Sequence, residues 1–163
     1  MKPQNLQIHI IEDDLVFGKL MELTVKSLGF TNIRLFNSGA HYLEKELVKS
    51  TPDIALVDYF LNDGTTGEQI IEKVKTIDRD VNTILMSSQL NAYSLSRKGM
   101  SHKSMVINKG GNFKGKLEIA LRKTMGAIKE KNKRKKIMVG IALFFLADLL
   151  VSGSAYLLFN FPH

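Results

Sequence analysis

The feature that most constrains the fold is a regular alternation of short apolar runs with helical patterns over residues 1–125. Runs such as residues 53–57 (DIALV) are short and nearly all apolar, which is typical of a strand buried in a parallel sheet. Between these runs, segments such as residues 15–28 place apolar side chains at helical spacing. Five repeats of this unit predict a doubly wound α/β fold with a five-stranded parallel sheet and helices on both faces.

The boundaries of these elements follow from the same pattern. The strands are expected at residues 6–11, 32–36, 53–57, 82–86 and 104–107. The helices are expected at residues 15–28, 40–49, about 65–77, 90–99 and from 113 onward. Thr65 and Glu68 are expected to form the capping box that opens the third helix.

Polar residues follow four of the five expected strands. Glu12 and Asp13 follow the first strand, Asp58 the third, Ser87 the fourth and Lys109 the fifth. Because the carboxyl ends of parallel strands share one edge of the sheet, these side chains are expected to meet there. Three carboxylates would repel one another without a cation, and an all-oxygen set without His or Cys favours Mg²⁺.

The same residues suit the transfer of a phosphoryl group. Asp58 is placed as a nucleophile that becomes an acyl phosphate, and a metal beside it would screen the charge of the incoming group. Lys109 could pair with the phosphoryl oxygens, and the Ser87 hydroxyl could donate a hydrogen bond to one of them.

In order and spacing, these residues resemble the receiver domain of two-component response regulators over about residues 5–125. The matching segments are residues 10–14, 55–59 with Gly64 and Gly67, 84–88 and 107–109. The resemblance implies the flavodoxin-like strand order 2-1-3-4-5. It also implies that Asp58 accepts a phosphoryl group from a histidine kinase or a phosphotransfer protein, in phosphorelay signalling.

The resemblance further implies roles for single residues. It implies Mg²⁺ held by Glu12, Asp13, Asp58 and the backbone carbonyl of Phe60. Lys109 and Ser87 would be the phosphate-binding lysine and the switch hydroxyl, and Phe60 and Gln89 would tune dephosphorylation. The chain departs from the family pattern at four positions: Glu12 replaces the commoner Asp, Ser88 a smaller residue, Val106 an aromatic residue and Gly110 a proline.

The C-terminal quarter of the chain has a different character. Residues 137–159 contain one charge, Asp148, and would extend about 35 Å as a helix. A basic run at residues 129–136 precedes them, and the positive-inside rule places such a run in the cytoplasm. We therefore expect a receiver domain at 1–125, a basic juxtamembrane linker at 126–136 and a single transmembrane helix at 137–159. The expected location is the cytoplasmic membrane, with a single pass and the N-terminal domain in the cytoplasm.

This arrangement predicts membrane lipid as a partner, contacted by the C-terminal helix and the basic linker. Nucleic acid is not expected, although the formal net charge is +7. Small residues recur every seven positions at Gly140, Ala147 and Ser154, so helix packing into a homodimer stays open.

Two functions stay open from the sequence. The first is a membrane-tethered receiver phosphorylated on Asp58, with output by protein contact or as a phosphate sink. The second is a receiver-like scaffold, anchored at the membrane, that never carries phosphate. An enzyme is not expected, because a phosphatase of the Asp-x-Asp type needs an acid where Phe60 stands and because the chain lacks cysteine and the glycine motifs of nucleotide-binding loops.

Overall fold

The computed structural model describes residues 2–88 and 104–160, with side chains up to residue 149. The chain divides into two compact units, Met1–Thr124 and Met125–His163. The first unit carries the sheet and the polar residues of the expected site, and the second is helical up to Asn160.

The first unit is built on a five-stranded parallel sheet in the order β2-β1-β3-β4-β5. The strands are β1 (Gln7–Ile11), β2 (Asn32–Phe36), β3 (Ile54–Asp58), β4 (Asn82–Ser87) and β5 (Ser104–Asn108). The predicted five-stranded parallel α/β sheet and its strand order are confirmed. Because the order reverses between β1 and β3, their carboxyl ends border the crevice in which open α/β sheets bind ligands.

Helices connect the strands. They are α1 (Leu15–Ser27), the short α2 (Gly39–His41), α3 (Gly67–Ile77) and α4, which begins at Phe113 and ends at Asn160. A π-helical turn, Tyr42–Glu46, continues α2. The N–H of Leu47 donates to the carbonyl of Tyr42 across 2.8 Å, five residues back. The regular helix expected at residues 40–49 is therefore interrupted, and the helix expected at 90–99 lies outside the described residues.

Local hydrogen bonds fix where two of the helices begin. A carboxylate oxygen of Asp14 accepts the N–H groups of Val16 and Phe17, which caps α1. The capping box of α3 is formed by Thr66 and Gln69, one residue later than the sequence predicted. The shift has a local cause, because the N–H of Thr65 donates instead to the Asp63 carboxylate, 3.0 Å away.

The C-terminal segment corrects one prediction. Among the residues that the structure describes, no helix has the length and apolar character that crossing a membrane requires. The predicted localisation as a single-pass protein of the cytoplasmic membrane, with its N-terminal domain in the cytoplasm, is therefore wrong.

His9 is a fully buried titratable residue in the middle of β1. One ring nitrogen lies 3.0 Å from the Tyr42 hydroxyl and the other 2.9 Å from the side-chain nitrogen of Gln7. The ring also packs edge-on against Phe36 and Tyr42. Burial, aided by the charge of Arg34, lowers the pKa of His9 to about 4. The folded chain therefore holds this imidazole neutral at pH values where the unfolded chain protonates it.

We expect His9 to reduce the free energy of unfolding as the pH falls. The unfolded chain takes up this proton near the ordinary pKa of 6.5, whereas the folded chain takes it up only near pH 4. The linked loss is about 2 kcal/mol between pH 7 and pH 5. Urea unfolding of the wild type and of His9→Gln at each pH measures it.

The difference between the two stability profiles isolates His9. Burial raises the pKa of Glu12, so that residue contributes with the opposite sign, but it does so in both proteins. Parallel profiles for the wild type and His9→Gln would show that the buried imidazole does not titrate as the structure implies.

Candidate functional site

Three strand ends meet at the ammonium group of Lys109. Its Nζ lies 2.8 Å from Asp58 Oδ2, and 3.0 Å and 2.8 Å from the two carboxylate oxygens of Glu12. Glu12 is 1% exposed, Asp58 is buried, and the Lys109 side chain is 15% exposed. The residues predicted after β1, β3 and β5 are thus brought together in a nearly water-free position.

Backbone hydrogen bonds beyond the strands set these positions. The N–H of Lys109 donates to the carbonyl of Ser87, and the N–H of Tyr59 donates to the carbonyl of Met86, both across 2.8 Å. The N–H of Glu12 donates to the carbonyl of Phe36 across 2.9 Å. Glu12 and Lys109 therefore each extend the sheet ladder by one step, and Asp58 is the last residue of β3, so that the placement of all three follows from the strand register.

Asp13 completes an acidic cluster with Glu12 and Asp58. One carboxylate oxygen from each of the three residues lies within 4.8 Å of the others. Asp13 is half-buried, and its Oδ2 accepts the N–H of Asn62 across 3.2 Å. That bond ties Asp13 to the loop that follows β3, which also carries Phe60.

The loop after β3 returns tightly against the site. A Cβ on Gly67 would overlap the backbone carbonyl oxygen of Asp58 and a methyl group of Leu85, so this approach requires glycine. The Asp63 carboxylate accepts hydrogen bonds from the Ser38 hydroxyl at 2.7 Å and from the N–H of Ala40 at 2.9 Å. Burial opposes ionisation of Asp63, but these bonds prevail and hold its pKa well below the usual range. The loop is thereby fastened to the start of α2.

Burial sets the electrostatics of the cluster. It raises the pKa of Glu12 to about 7, with Lys109 opposing the shift and the charge of Asp58 adding to it. Burial also raises the pKa of Asp58. Lys109 again opposes this shift, and the charge of Asp13 adds to it. Three carboxylates against the single ammonium of Lys109 leave a formal charge of −2 when all are ionised.

The donor set fits a hard divalent cation. Glu12 Oε2 is buried and, although ion-paired with Lys109, accepts no hydrogen bond from any described residue. A buried acceptor without a hydrogen bond is a candidate metal ligand, and carboxylate oxygens are the ligands that Mg²⁺ prefers. Glu12, Asp13 and Asp58 therefore form an acidic pocket whose charge and chemistry suit one such ion.

The other predicted site residues are Ser87 and Phe60, which lie at or after the ends of β4 and β3. Ser87 is buried at the end of β4, and Ser88 after it is exposed. Phe60 has a half-exposed ring, and its backbone pairs with Thr66 in an isolated bridge. The roles given to the Ser87 hydroxyl and the Phe60 carbonyl stay predictions, and Gln89 lies outside the described residues.

Sequence reasoning missed Phe17 as a neighbour of the site. Its ring centroid lies 4.7 Å from Lys109 Nζ and 4.6 Å from the ring centroid of Phe113. In the sequence Phe17 is one more apolar residue of an amphipathic helix. Its contact with Lys109 is a tertiary contact between residues far apart in the chain, for which the sequence carries no local signal.

The chain was compared with known families, curated proteins and solved structures. No family model matches it, and no curated protein matches it. Solved structures do match. A response regulator receiver protein from Sinorhizobium medicae is 20% identical, with a TM-score of 0.66 over 75% of this chain and 95% of that chain.

Two further solved receiver domains are similar to this chain. The PhyR receiver domain of Erythrobacter litoralis is 19% identical, with a TM-score of 0.64 over 74% of this chain and 89% of that one. The BeF3-activated receiver domain of DrrB, a Thermotoga maritima protein, is 18% identical, with a TM-score of 0.61 over 74% of this chain and 97% of that one. At these identities the likeness shows the fold, and the chain therefore has the fold of response regulator receiver domains.

Proposed function

We propose that the protein is a signalling module that accepts a phosphoryl group on Asp58 from a histidine kinase or a phosphotransfer protein. The observation that carries the proposal is the placement of Lys109 Nζ 2.8 Å from Asp58 Oδ2, at the sheet edge where ligands bind. The receiver-domain fold supports phosphoryl signalling in general, and the acidic pocket supplies the residues for it.

The chemistry is an in-line displacement at phosphorus. A carboxylate oxygen of Asp58 forms the new bond to phosphorus while the phosphorus–nitrogen bond to the donor imidazole breaks, and the electron pair of that bond stays on the imidazole nitrogen. One phosphoryl group moves and nothing is oxidised. Lys109 lies beside the accepting oxygen, so its ammonium group offsets the charge that collects on the phosphoryl oxygens. The Ser87 hydroxyl is proposed to donate to one of those oxygens.

Mg²⁺ is the cofactor that the pocket suits best. Glu12, Asp13 and Asp58 would hold it, together with the backbone carbonyl of Phe60. When bound, the ion supplies positive charge that lowers the repulsion between Asp58 and an incoming phosphoryl group. The buried Glu12 Oε2, which accepts no hydrogen bond from a described residue, and the excess of carboxylates over ammonium groups in the cluster support this assignment.

The output is proposed to be contact with another protein or drainage of phosphate from the kinase, rather than catalytic turnover of a small molecule. A receiver-like scaffold that never carries phosphate is the second candidate. The departures from the family pattern at Val106 and Gly110 are the features that favour it. A phosphorylation assay separates the two functions.

We expect the full-length chain to gain one labile phosphoryl group on incubation with acetyl phosphate and Mg²⁺, read by intact mass. Asp58→Asn should abolish the adduct, because the amide cannot form an acyl phosphate. Asp53→Asn is the matched control, since Asp53 precedes the same strand at its opposite end, where its carboxylate accepts the N–H of Gln7. No adduct on the wild type with acetyl phosphate or with a phosphorylated kinase would favour the scaffold.

Mg²⁺ should raise the melting temperature of the wild type, since a ligand that binds only the folded state stabilises it. At ten times its Kd the gain is about 1.4 kcal/mol. Asp13→Asn should remove most of this gain because it takes one charge out of the pocket. Asp14→Asn is the matched control, because it removes the same charge from the adjacent residue. Asp14 is an exposed helix cap, a position that Asn fills equally well, so this variant should keep the gain in melting temperature. Equal losses in both variants would contradict the assignment of Asp13 as a ligand.

A further inference from the structure

Lys109 has an aromatic neighbour to which the proposed function gives no part. Its Nζ lies 4.7 Å from the centroid of the Phe17 ring, within the range of a cation–π contact. The two carboxylates of Glu12 and Asp58 also contact this ammonium group, at 2.8–3.0 Å. The ammonium group is thus shared between two acceptors and one aromatic ring.

One contact places the backbone of Phe17 and another places its ring. The backbone N–H of Phe17 donates to the Asp14 carboxylate across 3.0 Å, which holds the first turn of α1 in place. The ring packs against Phe113, with centroids 4.6 Å apart and planes inclined at 48°. Phe113 is buried at the start of α4. The cap of α1 therefore sets where the Phe17 side chain begins, and the first residue of α4 supports its ring.

The ring also restricts what the ammonium group can do. A lysine side chain is flexible and its ammonium group is strongly hydrated, so an unconfined Lys109 would exchange the carboxylates for water. The Phe17 ring attracts the charge through its π face and excludes water there, yet offers no lone pair that competes for the three N–H donors. The donors are left to the oxygens of Glu12 and Asp58.

We propose that Phe17 is a positioning residue that holds the Lys109 ammonium group against Asp58, with Phe113 backing the ring. The consequence for phosphoryl transfer rests on the proposed function, whereas the contact itself exists without phosphate. The competing explanation is plain apolar packing of α1 against α4, to which any apolar side chain of similar volume would contribute equally.

Three variants of the full-length chain distinguish these explanations. Phe17→Leu keeps an apolar side chain and removes the ring, and Phe17→Tyr restores a ring. Phe30→Leu is the matched control, because Phe30 is buried just before β2, at the opposite edge of the sheet from Lys109. Each variant is measured for the NMR shifts of the Lys109 ε-methylene and Asp58 carboxyl groups, and for the rate of phosphorylation by acetyl phosphate with Mg²⁺.

The proposal predicts that the Lys109 ε-methylene protons are shifted upfield by the ring in the wild type and Phe17→Tyr, and lose this shift in Phe17→Leu. The Asp58 carboxyl resonance should move in Phe17→Leu as well. Phosphorylation should slow about fivefold in Phe17→Leu, recover in Phe17→Tyr and stay near the wild-type rate in Phe30→Leu.

Two results would overturn the positioning role: a Lys109 methylene shift that does not depend on the ring, or equal slowing in Phe17→Leu and Phe30→Leu. A wild-type chain that takes up no phosphoryl group would reject the proposed function instead. In that case the Lys109 and Asp58 resonances still decide whether Phe17 holds the ammonium group in place.

Discussion

The ion pairs of Lys109 make the acidic edge of the sheet compatible with a folded chain. Glu12 and Asp58 are both buried, and burial alone raises the pKa of each by disfavouring its charged form. The ammonium group of Lys109 contacts both carboxylates and offsets the free-energy cost of burying their charges. Without Lys109, either carboxylate would be a buried charge with no ion-pair partner. With Asp13 included, the cluster has a formal charge of −2 when all three carboxylates are ionised, which is the charge that one divalent cation balances.

The parallel sheet supplies the geometry that this pairing needs. Glu12 follows β1, Asp58 ends β3 and Lys109 follows β5, and the parallel arrangement of these strands places all three residues at the same edge of the sheet. The tight return of the chain at Gly67 and the hydrogen bonds of Asp63 hold the loop after β3 against that edge. Strand register and loop anchoring thus place the residues that the Lys109 ion pairs then hold together.

Much of this was predictable from the sequence, because strand ends in a parallel sheet converge whatever the loops do. The alternation of apolar runs gave the sheet, and Glu12, Asp13, Asp58 and Lys109 follow from it. The π-helical turn after α2 was not predictable, since its i+5 bond competes closely with ordinary helix geometry. The capping box differed by one residue because Asp63 captures the N–H of Thr65.

Two further features were not predicted correctly from the sequence, for different reasons. The contact of Phe17 with Lys109 arises from packing between elements 92 positions apart, which no local pattern records. The membrane localisation was inferred from hydropathy summed over residues 137–159, and the described part of that helix does not satisfy the requirement for a span. Periodicity predicts elements well, whereas side-chain contacts and segment assignments need the structure.

The most direct test of the account is reductive trapping of the phosphorylated residue. The full-length chain is treated with acetyl phosphate and Mg²⁺ and then with borohydride, which reduces an acyl phosphate of aspartate to homoserine. Peptide sequencing by mass spectrometry then locates the modified residue. The account predicts homoserine at position 58. An intact Asp58, with the phosphoryl group elsewhere or in a base-stable ester, would contradict it.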